Sequence, residues 1–243
     1  MANWGTFNGF QSLPVDRRGL LITGPSGSGK STVLDAVAAV LTPPTQLSLN
    51  AAASNGGQRD KGRSISNYVR GACGHSADEE GEVVRTYLRP KAAVWSGVML
   101  RYEDGFDIEQ CSPSEARRHE AINVLGIFFQ KANTVSTEGL KKFYAVVRGD
   151  HALSEFETYG LNEADMAQFN KDHKETGRAW RDHAAFEGYL CNILHISSPK
   201  TLTLLHKTQA AKNIGSLDDL FRKYMLDMPR THDLATAAVA KFK

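Results

Sequence analysis

The sequence has few cysteines and no long apolar run. Cys73, Cys111 and Cys191 stand apart with no Cys-x-x-Cys pair, so neither a disulfide framework nor a zinc site is expected. No apolar stretch approaches the roughly 20 residues that cross a bilayer. The first residues also lack the basic and apolar regions of a signal peptide. These absences predict a cytoplasmic protein with no membrane partner.

Strong net charge is missing as well. The formal net charge is +2, and 41% of the 243 residues are apolar and 23% charged, which are ordinary globular values. The net charge is therefore too small for the whole surface to attract nucleic acid, although a local basic patch is compatible with these numbers. The eight histidines show no ligand spacing such as His-x-x-x-His, so no metal beyond Mg²⁺ is expected.

Residues 24–31 carry the most informative motif, Gly-Pro-Ser-Gly-Ser-Gly-Lys-Ser, which is a complete G-x-x-x-x-G-K-[ST] loop. The apolar residues 19–23 before it predict a buried strand. The good helix formers of residues 31–41 after it predict a helix that stops before Pro43. Strand, glycine loop and helix together indicate a phosphate-binding P-loop.

The P-loop predicts a site for ATP and Mg²⁺. Backbone N–H groups of the loop and the positive end of the following helix cradle phosphate. Lys30 is expected to reach the β- and γ-phosphate oxygens, and the Ser31 hydroxyl to ligate Mg²⁺. The residues predicted to bind nucleotide by the loop motif are Gly24, Pro25, Ser26, Gly27, Ser28, Gly29, Lys30, Ser31 and Thr32.

Two motifs that complete many P-loop ATPases are missing from the sequence. No apolar strand ends in the acid that holds the metal. The nearest stretch is residues 143–150, where Asp150 is expected to end a strand in a turn. Residues 53–58 resemble a signature motif, but they follow the P-loop too soon and no apolar strand comes after them, so a loop is predicted. Half of an ATPase site is therefore expected.

The chain organisation predicts an α/β fold of the P-loop NTPase class in three parts. Residues 1–150 are expected to form the P-loop lobe, residues 151–230 a helical subdomain, and residues 231–243 the start of a coiled-coil helix. In the first part, residues 4–13 predict a strand or hairpin. Further strands are predicted over residues 83–88, 93–102, 121–130 and 142–148.

Alternation and capping patterns refine these elements. Residues 94, 96, 98, 100 and 102 fall on one face at period two, which is typical of a half-buried antiparallel strand. Asn162 is expected to cap a helix that contains Met166 and Phe169. Residues 180–194 predict a second helix.

The P-loop with its flanks, Leu21 to Ala36, resembles the start of the ATPase head of SMC-type proteins. Residues 57–63, 68–71 and 86–90 narrow the resemblance to MukB/MksB-like condensins, and most closely to JetC-type subunits of Wadjet anti-plasmid systems. Residues 204–213 are similar to the segment that carries the Q-loop in the JetC type. The resemblance covers residues 15–41, 57–90 and 200–226, and it is loose over residues 103–199.

The resemblance implies further site residues. Gln209 would be the Q-loop glutamine, which helps to ligate Mg²⁺, senses the γ-phosphate and joins Lys30 in the predicted catalytic set. Arg63 would contact nucleotide. For Arg59, Lys61 and Arg63 three interpretations stay open: contact with the α-phosphate, contact with DNA phosphates, or a solvated basic loop.

The resemblance also implies a motor cycle with partners. Two heads would form a homodimer around ATP, each completed by a C-terminal head half that supplies the signature motif and the missing acid. The partners implied are DNA, kleisin and winged-helix (KITE-type) subunits, and a nuclease subunit. The function implied is ATP-driven DNA loop extrusion and plasmid restriction by an ATPase associated with the nucleoid.

Alternative functions remain open at the level of sequence. Within the same class they are a chromosomal MukB/MksB-like condensin head and an SbcC/Rad50-like repair ATPase. From other classes they are a transporter-type ABC ATPase and a self-contained P-loop kinase or NTPase. The kinase would need Asp150 or Asp165 as its metal-holding acid.

Overall fold

The computed structural model describes residues 1–49, 64–77, 83–105, 112, 119–134 and 136–210. The helices are α1 (Lys30–Leu41), α2 (Ile65–Arg70), α3 (Glu157–Leu161), α4 (Met166–Asp172), α5 (His183–Ile193) and α6 (Lys200–Ala210). The strands are β1 (Ala72–Ala77), β2 (Val83–Tyr87), β3 (Val94–Tyr102), β4 (Ile122–Gln130), β5 (Leu140–Arg148) and β6 (Gly177–Trp180). Short 3₁₀ turns cover Thr137–Gly139 and Leu153–Phe156.

The central sheet is an antiparallel meander in the order β3-β4-β5-β6, and β1 and β2 form a separate hairpin. The register places Val98 opposite Gly126, Gly126 opposite Tyr144, and Tyr144 opposite Trp180. The four predicted strands are confirmed to within two residues as β2, β3, β4 and β5. The sheet is therefore built from neighbours in sequence, as antiparallel sheets with short connections are.

Helices cover both faces of this sheet. One face, with Val98, Val124 and Phe128, packs under α1, α2 and α5. The other face, with Leu125 and Ile127, packs under the segment that contains α3 and α4. The antiparallel pairing predicted for β3 is confirmed, but the prediction of a half-buried strand is wrong. Residues 94–98 are all buried, because helices lie over both faces of the sheet.

Residues after 150 join the same sheet and core. β6 pairs with β5, and the Phe186 ring of α5 stacks on Tyr144 with ring centroids 5.3 Å apart. The division into two domains at residue 150 stays a prediction. The predicted coiled-coil start at residues 231–243 lies outside the described residues.

Helix α1 is confirmed as predicted, and two other helix predictions need correction. Asp165, not Asn162, caps α4, because its carboxylate accepts the N–H groups of Ala167 and Gln168 at 3.1 Å. The helix predicted from residue 180 begins at His183. Trp180 belongs to β6 instead, and the Asp182 side chain accepts the N–H of Ala185 as the helix cap.

Residues 1–11 form an N-terminal strap rather than the predicted strand or hairpin. Ala2 exchanges two backbone hydrogen bonds with Gly97 of β3, at 2.7 and 3.0 Å. The Gln11 N–H donates to the Met1 carbonyl, and Ala2 also bridges to Phe10. The strap is thus a folded loop whose backbone pairs with the edge strand β3 at Ala2.

The buried strand predicted over residues 19–23 is wrong. Residues 20–23 have no regular structure, and the side chains of Leu20 and Leu21 are 44% and 86% exposed. Within the described ranges no strand lies beside them to pair their backbone groups, and a single strand cannot satisfy those groups by itself. The apolar pattern of residues 19–23 is typical of a strand, but a neighbouring strand that it requires is not among the described residues.

Candidate nucleotide-binding site

The P-loop backbone has the shape that its glycines allow. Gly27 and Gly29 adopt left-handed φ angles of 84° and 92°, a region that side chains with a Cβ disfavour. Helix α1 begins directly after Gly29, so the N–H groups of its first turn have no partners within the helix and face the loop end. This arrangement is a ready site for an anion.

Lys30 folds back over the loop that precedes it. Its ammonium donates to the carbonyl oxygens of Gly24 and Pro25, both at 2.7 Å, and lies 3.4 Å from the Ser28 Oγ. The lysine charge therefore sits within the loop, close to where the motif binds phosphate. Phosphate oxygens could replace the two carbonyl oxygens as partners of the ammonium.

The structure brings the predicted loop residues together at one end of α1. Residues 24–28 are exposed to solvent, whereas Gly29, Lys30, Ser31 and Thr32 are half-buried. Ser31 lies in the first turn of α1, next to Lys30. The loop residues thus lie together at the start of α1, and phosphate binding by the loop and Mg²⁺ ligation by the Ser31 hydroxyl stay predictions.

The residues implied by the family resemblance are described only in part. Gln209 lies in the last turn of α6, and α6 contacts α1. Its side chain is outside what the structure describes, so its role as a Mg²⁺ ligand stays a prediction. Arg59, Lys61 and Arg63 also lie outside the described residues.

An aromatic pair that the sequence analysis did not identify holds α1 in place. The fully buried Trp4 donates its indole N–H to the Thr32 carbonyl at 3.1 Å and stacks on Tyr68, with ring centroids 4.9 Å apart. The Tyr68 hydroxyl donates to the Asp35 carboxylate. Both contacts join positions more than 25 residues apart, and no local sequence pattern signals them.

The two acids considered as metal ligands are engaged elsewhere. Asp150 is exposed in the turn after β5 and forms an ion pair with Arg101, which holds the pKa of its carboxyl below the ordinary value. The expectation that Asp150 ends a strand in a turn is confirmed. Asp165 caps α4. In the described part of the chain, no group of three or more His, Cys, Asp or Glu side chains is placed to hold a metal.

A comparison with family models agrees with this geometry. Residues 1–56 match the model of the P-loop containing region of AAA domain. This region is a P-loop of the NTPase kind. The match spans the strap, the P-loop and α1, the elements that form the site, and P-loop regions of this kind generally bind nucleotide with Mg²⁺. No curated protein matches the chain.

The fold around this P-loop NTPase region is mixed α/β with antiparallel sheets. Among the helices of the described ranges, none has both the length and the apolar character that a membrane span requires.

Proposed function

We propose that this chain binds ATP with Mg²⁺ through residues 24–32 and acts as one half of an ATPase head. The observation that carries the proposal is the position of the Lys30 ammonium inside the loop, 2.7 Å from the Gly24 and Pro25 carbonyl oxygens. A lysine placed in this way at the start of a helix, after left-handed glycines, is suited to a polyphosphate.

The roles of the loop residues follow from their chemistry. Backbone N–H groups of the loop and of the first turn of α1 would hold the phosphate oxygens. The Lys30 ammonium would leave its carbonyl partners and neutralise charge on the phosphates. The Ser31 hydroxyl would hold Mg²⁺, which supplies further charge neutralisation when bound.

The exposed segment before the loop supports the half-head proposal. Leu20 and Leu21 present apolar side chains to solvent, and residues 20–23 have no strand neighbour among the described residues. Two adjacent exposed leucines leave apolar surface that a partner strand would cover. We infer that a strand of the C-terminal head half covers this segment and brings the metal-holding acid that this sequence lacks.

The finer proposal is an SMC-like head that acts on DNA. It rests on the sequence resemblance alone: an ATP-dependent head homodimer, with kleisin and winged-helix subunits and a nuclease subunit, would extrude DNA loops and restrict plasmids. A chromosomal condensin head is the alternative within this class. A self-contained P-loop kinase is less well supported, because Asp150 pairs with Arg101 and Asp165 caps α4.

The test is ATP binding and ATP turnover by the chain itself, with Lys30→Ala and the exposed Lys171→Ala as a matched pair. Lys30→Ala should weaken MgATP binding at least tenfold, by about 1.4 kcal/mol or more, since a charge-assisted phosphate contact is lost. Lys171→Ala should bind as the unmodified chain does. Turnover should be negligible until the C-terminal half is added, and robust turnover by the chain alone would refute the half-head proposal.

A further inference from the structure

The N-terminal strap, residues 1–11, is fixed firmly to β3. Besides the two backbone bonds between Ala2 and Gly97, the Ser96 hydroxyl lies 2.9 Å from the carbonyl oxygens of Ala2 and Asn3. Ala2 and Ser96 are buried. The start of the strap therefore has a defined position relative to the sheet.

Arg89 fixes the next residues of the strap. Its Nη2 donates to the carbonyl oxygens of Asn3 at 3.0 Å and Gly5 at 2.8 Å, and its Nε donates to the Val69 carbonyl at 3.0 Å. One guanidinium thus joins the strap to the end of α2. Hydrogen bonds from a charged donor are stronger than neutral ones, so this joint is stiff.

From this fixed base the strap touches the P-loop at Gly29. A Cβ built on Gly29 would lie 2.8 Å from Cζ and 3.1 Å from Cε2 of Phe7, so the Phe7 ring packs directly against the glycine backbone. In the first turn of α1, the Thr32 Cγ2 would lie 2.6 Å from a Cβ built on Gly5. The strap therefore packs against both the last loop residue and the first turn of the helix.

The contact with Gly29 has a consequence for phosphate binding. Residues 24–28 are exposed and rich in glycine, so ordering them around a ligand carries a high conformational entropy cost. Gly29 is the last residue before Lys30, and its backbone angles set the direction in which the lysine leaves the loop. A ring packed on Gly29 restricts those angles before any ligand arrives.

We propose that Phe7 is a positioning residue for the P-loop. It keeps Gly29 in its left-handed conformation and Lys30 directed into the loop, and so raises the affinity for the phosphate chain without contact with the ligand. This inference rests on the proposed function, because it assumes that the loop binds a nucleoside triphosphate.

The chain offers a matched control in the same strap. Phe10 is 45% exposed and its ring lies against Trp95, at 5.9 Å between centroids, instead of against the P-loop. Phe7→Ala and Phe10→Ala therefore remove the same side chain from the same segment. Phe7→Leu keeps an apolar group near Gly29 and serves as the conservative variant.

The experiment measures the dissociation constants of MgATP and of magnesium tripolyphosphate, which lacks base and sugar. Phe7→Ala should weaken the binding of both ligands by about five- to tenfold, because the loop around Gly29 must then be ordered when the ligand binds. Phe10→Ala should weaken binding by less than about twofold. Phe7→Leu should restore most of the affinity. In the ligand-free chain, amide hydrogen exchange over residues 24–32 should speed up in Phe7→Ala and not in Phe10→Ala.

Each other outcome contradicts the proposal. A loss for MgATP but not for tripolyphosphate would show that Phe7 contacts the base or sugar. Equal losses in the two alanine variants would show general loosening of the strap, and no loss would show that the ring is not needed. If Lys30→Ala binds MgATP as well as the unmodified chain does, or if neither binds it, the proposed function fails. Separately, an unchanged rate of amide hydrogen exchange over residues 24–32 in Phe7→Ala would refute the positioning role.

Discussion

Arg70 gives the sharpest test of how this fold is held together. Its side chain is fully buried, and its guanidinium donates to four backbone carbonyl oxygens, those of Arg89, Ala92, Lys131 and Thr134. These carbonyls belong to the segments between β2 and β3 and between β4 and β5. One side chain thus joins two connections of the sheet to the end of α2.

The cost of removing this guanidinium can be estimated. Arg70→Met keeps much of the volume but leaves the carbonyl oxygens without their donor. A hydrogen bond to a charged group contributes about 1.5–3 kcal/mol. Some carbonyls will find water, so we expect a loss of about 3–5 kcal/mol, since each buried carbonyl left without a donor costs about 1–3 kcal/mol. This is a large part of the 5–15 kcal/mol that typically stabilises a domain.

Urea unfolding followed by circular dichroism measures this loss. Arg178→Met is the control, because Arg178 is exposed on β6 and its described ring contact is with Trp180, 5.5 Å from the centroid. The control should lose less than about 1 kcal/mol. If Arg70→Met also stays within about 1 kcal/mol of the unmodified chain, the carbonyls do not depend on the guanidinium and the argument fails.

Further predictions concern the effect of pH on stability and the effect of replacing glycines. Burial lowers the pKa of His183, so below about pH 6.5 the unfolded chain binds a proton that the folded chain does not. The free energy of unfolding should therefore fall as pH drops from 7 to 5, and it should fall less steeply in His183→Gln. An equal slope of the urea midpoint against pH in the two proteins would contradict this. Gly188→Ala, on the exposed face of α5 with open space at its Cβ, should raise the free energy of unfolding by about 0.5–1 kcal/mol. Gly160→Ala, whose Cβ would lie 2.5 Å from the Trp95 ring, should lower the free energy of unfolding by about 1–3 kcal/mol. If Gly188→Ala and Gly160→Ala change stability in the same direction, the space at the Cβ does not decide the effect. Gly29→Ala should abolish most MgATP binding in calorimetric titration, since φ is 92° there, and near-normal affinity would show that the loop rearranges freely.

The strands of the sheet were predictable because their signals are local. β3, β4 and β5 are stretches enriched in β-branched and aromatic residues between turns, and the bounds agree to within two residues. β6 was missed because four residues with Gly177 at the start carry little signal without their partner β5. Residues 19–23 show the opposite error: their apolar pattern indicates a strand, but a strand also needs a neighbour, which periodicity does not reveal.

The candidate site divides in the same way. The loop from Gly24 to Thr32 was predictable, since the motif itself specifies the glycines, the lysine and the start of the helix. The contacts of Trp4, Phe7 and Arg89 were not, because each joins segments far apart in the chain. The short block that contains Arg70 was singled out by resemblance to a family, and the structure gives that residue a scaffolding role.

The topology sets an order in which the chain can fold during synthesis. The P-loop and α1 are synthesised before residues that hold them in place. The His183 Nε2 donates to the Val40 carbonyl at 3.0 Å across 143 positions, and Ala2 pairs with Gly97. At about 5–20 residues per second, the stretch from α1 to α5 takes roughly 7–30 s to make. The sheet, whose strands pair with their sequence neighbours, can form ahead of this closure. Nucleotide affinity would then appear only when α5 has been synthesised, and a nascent chain captured on immobilised ATP would mark the moment at which the domain closes.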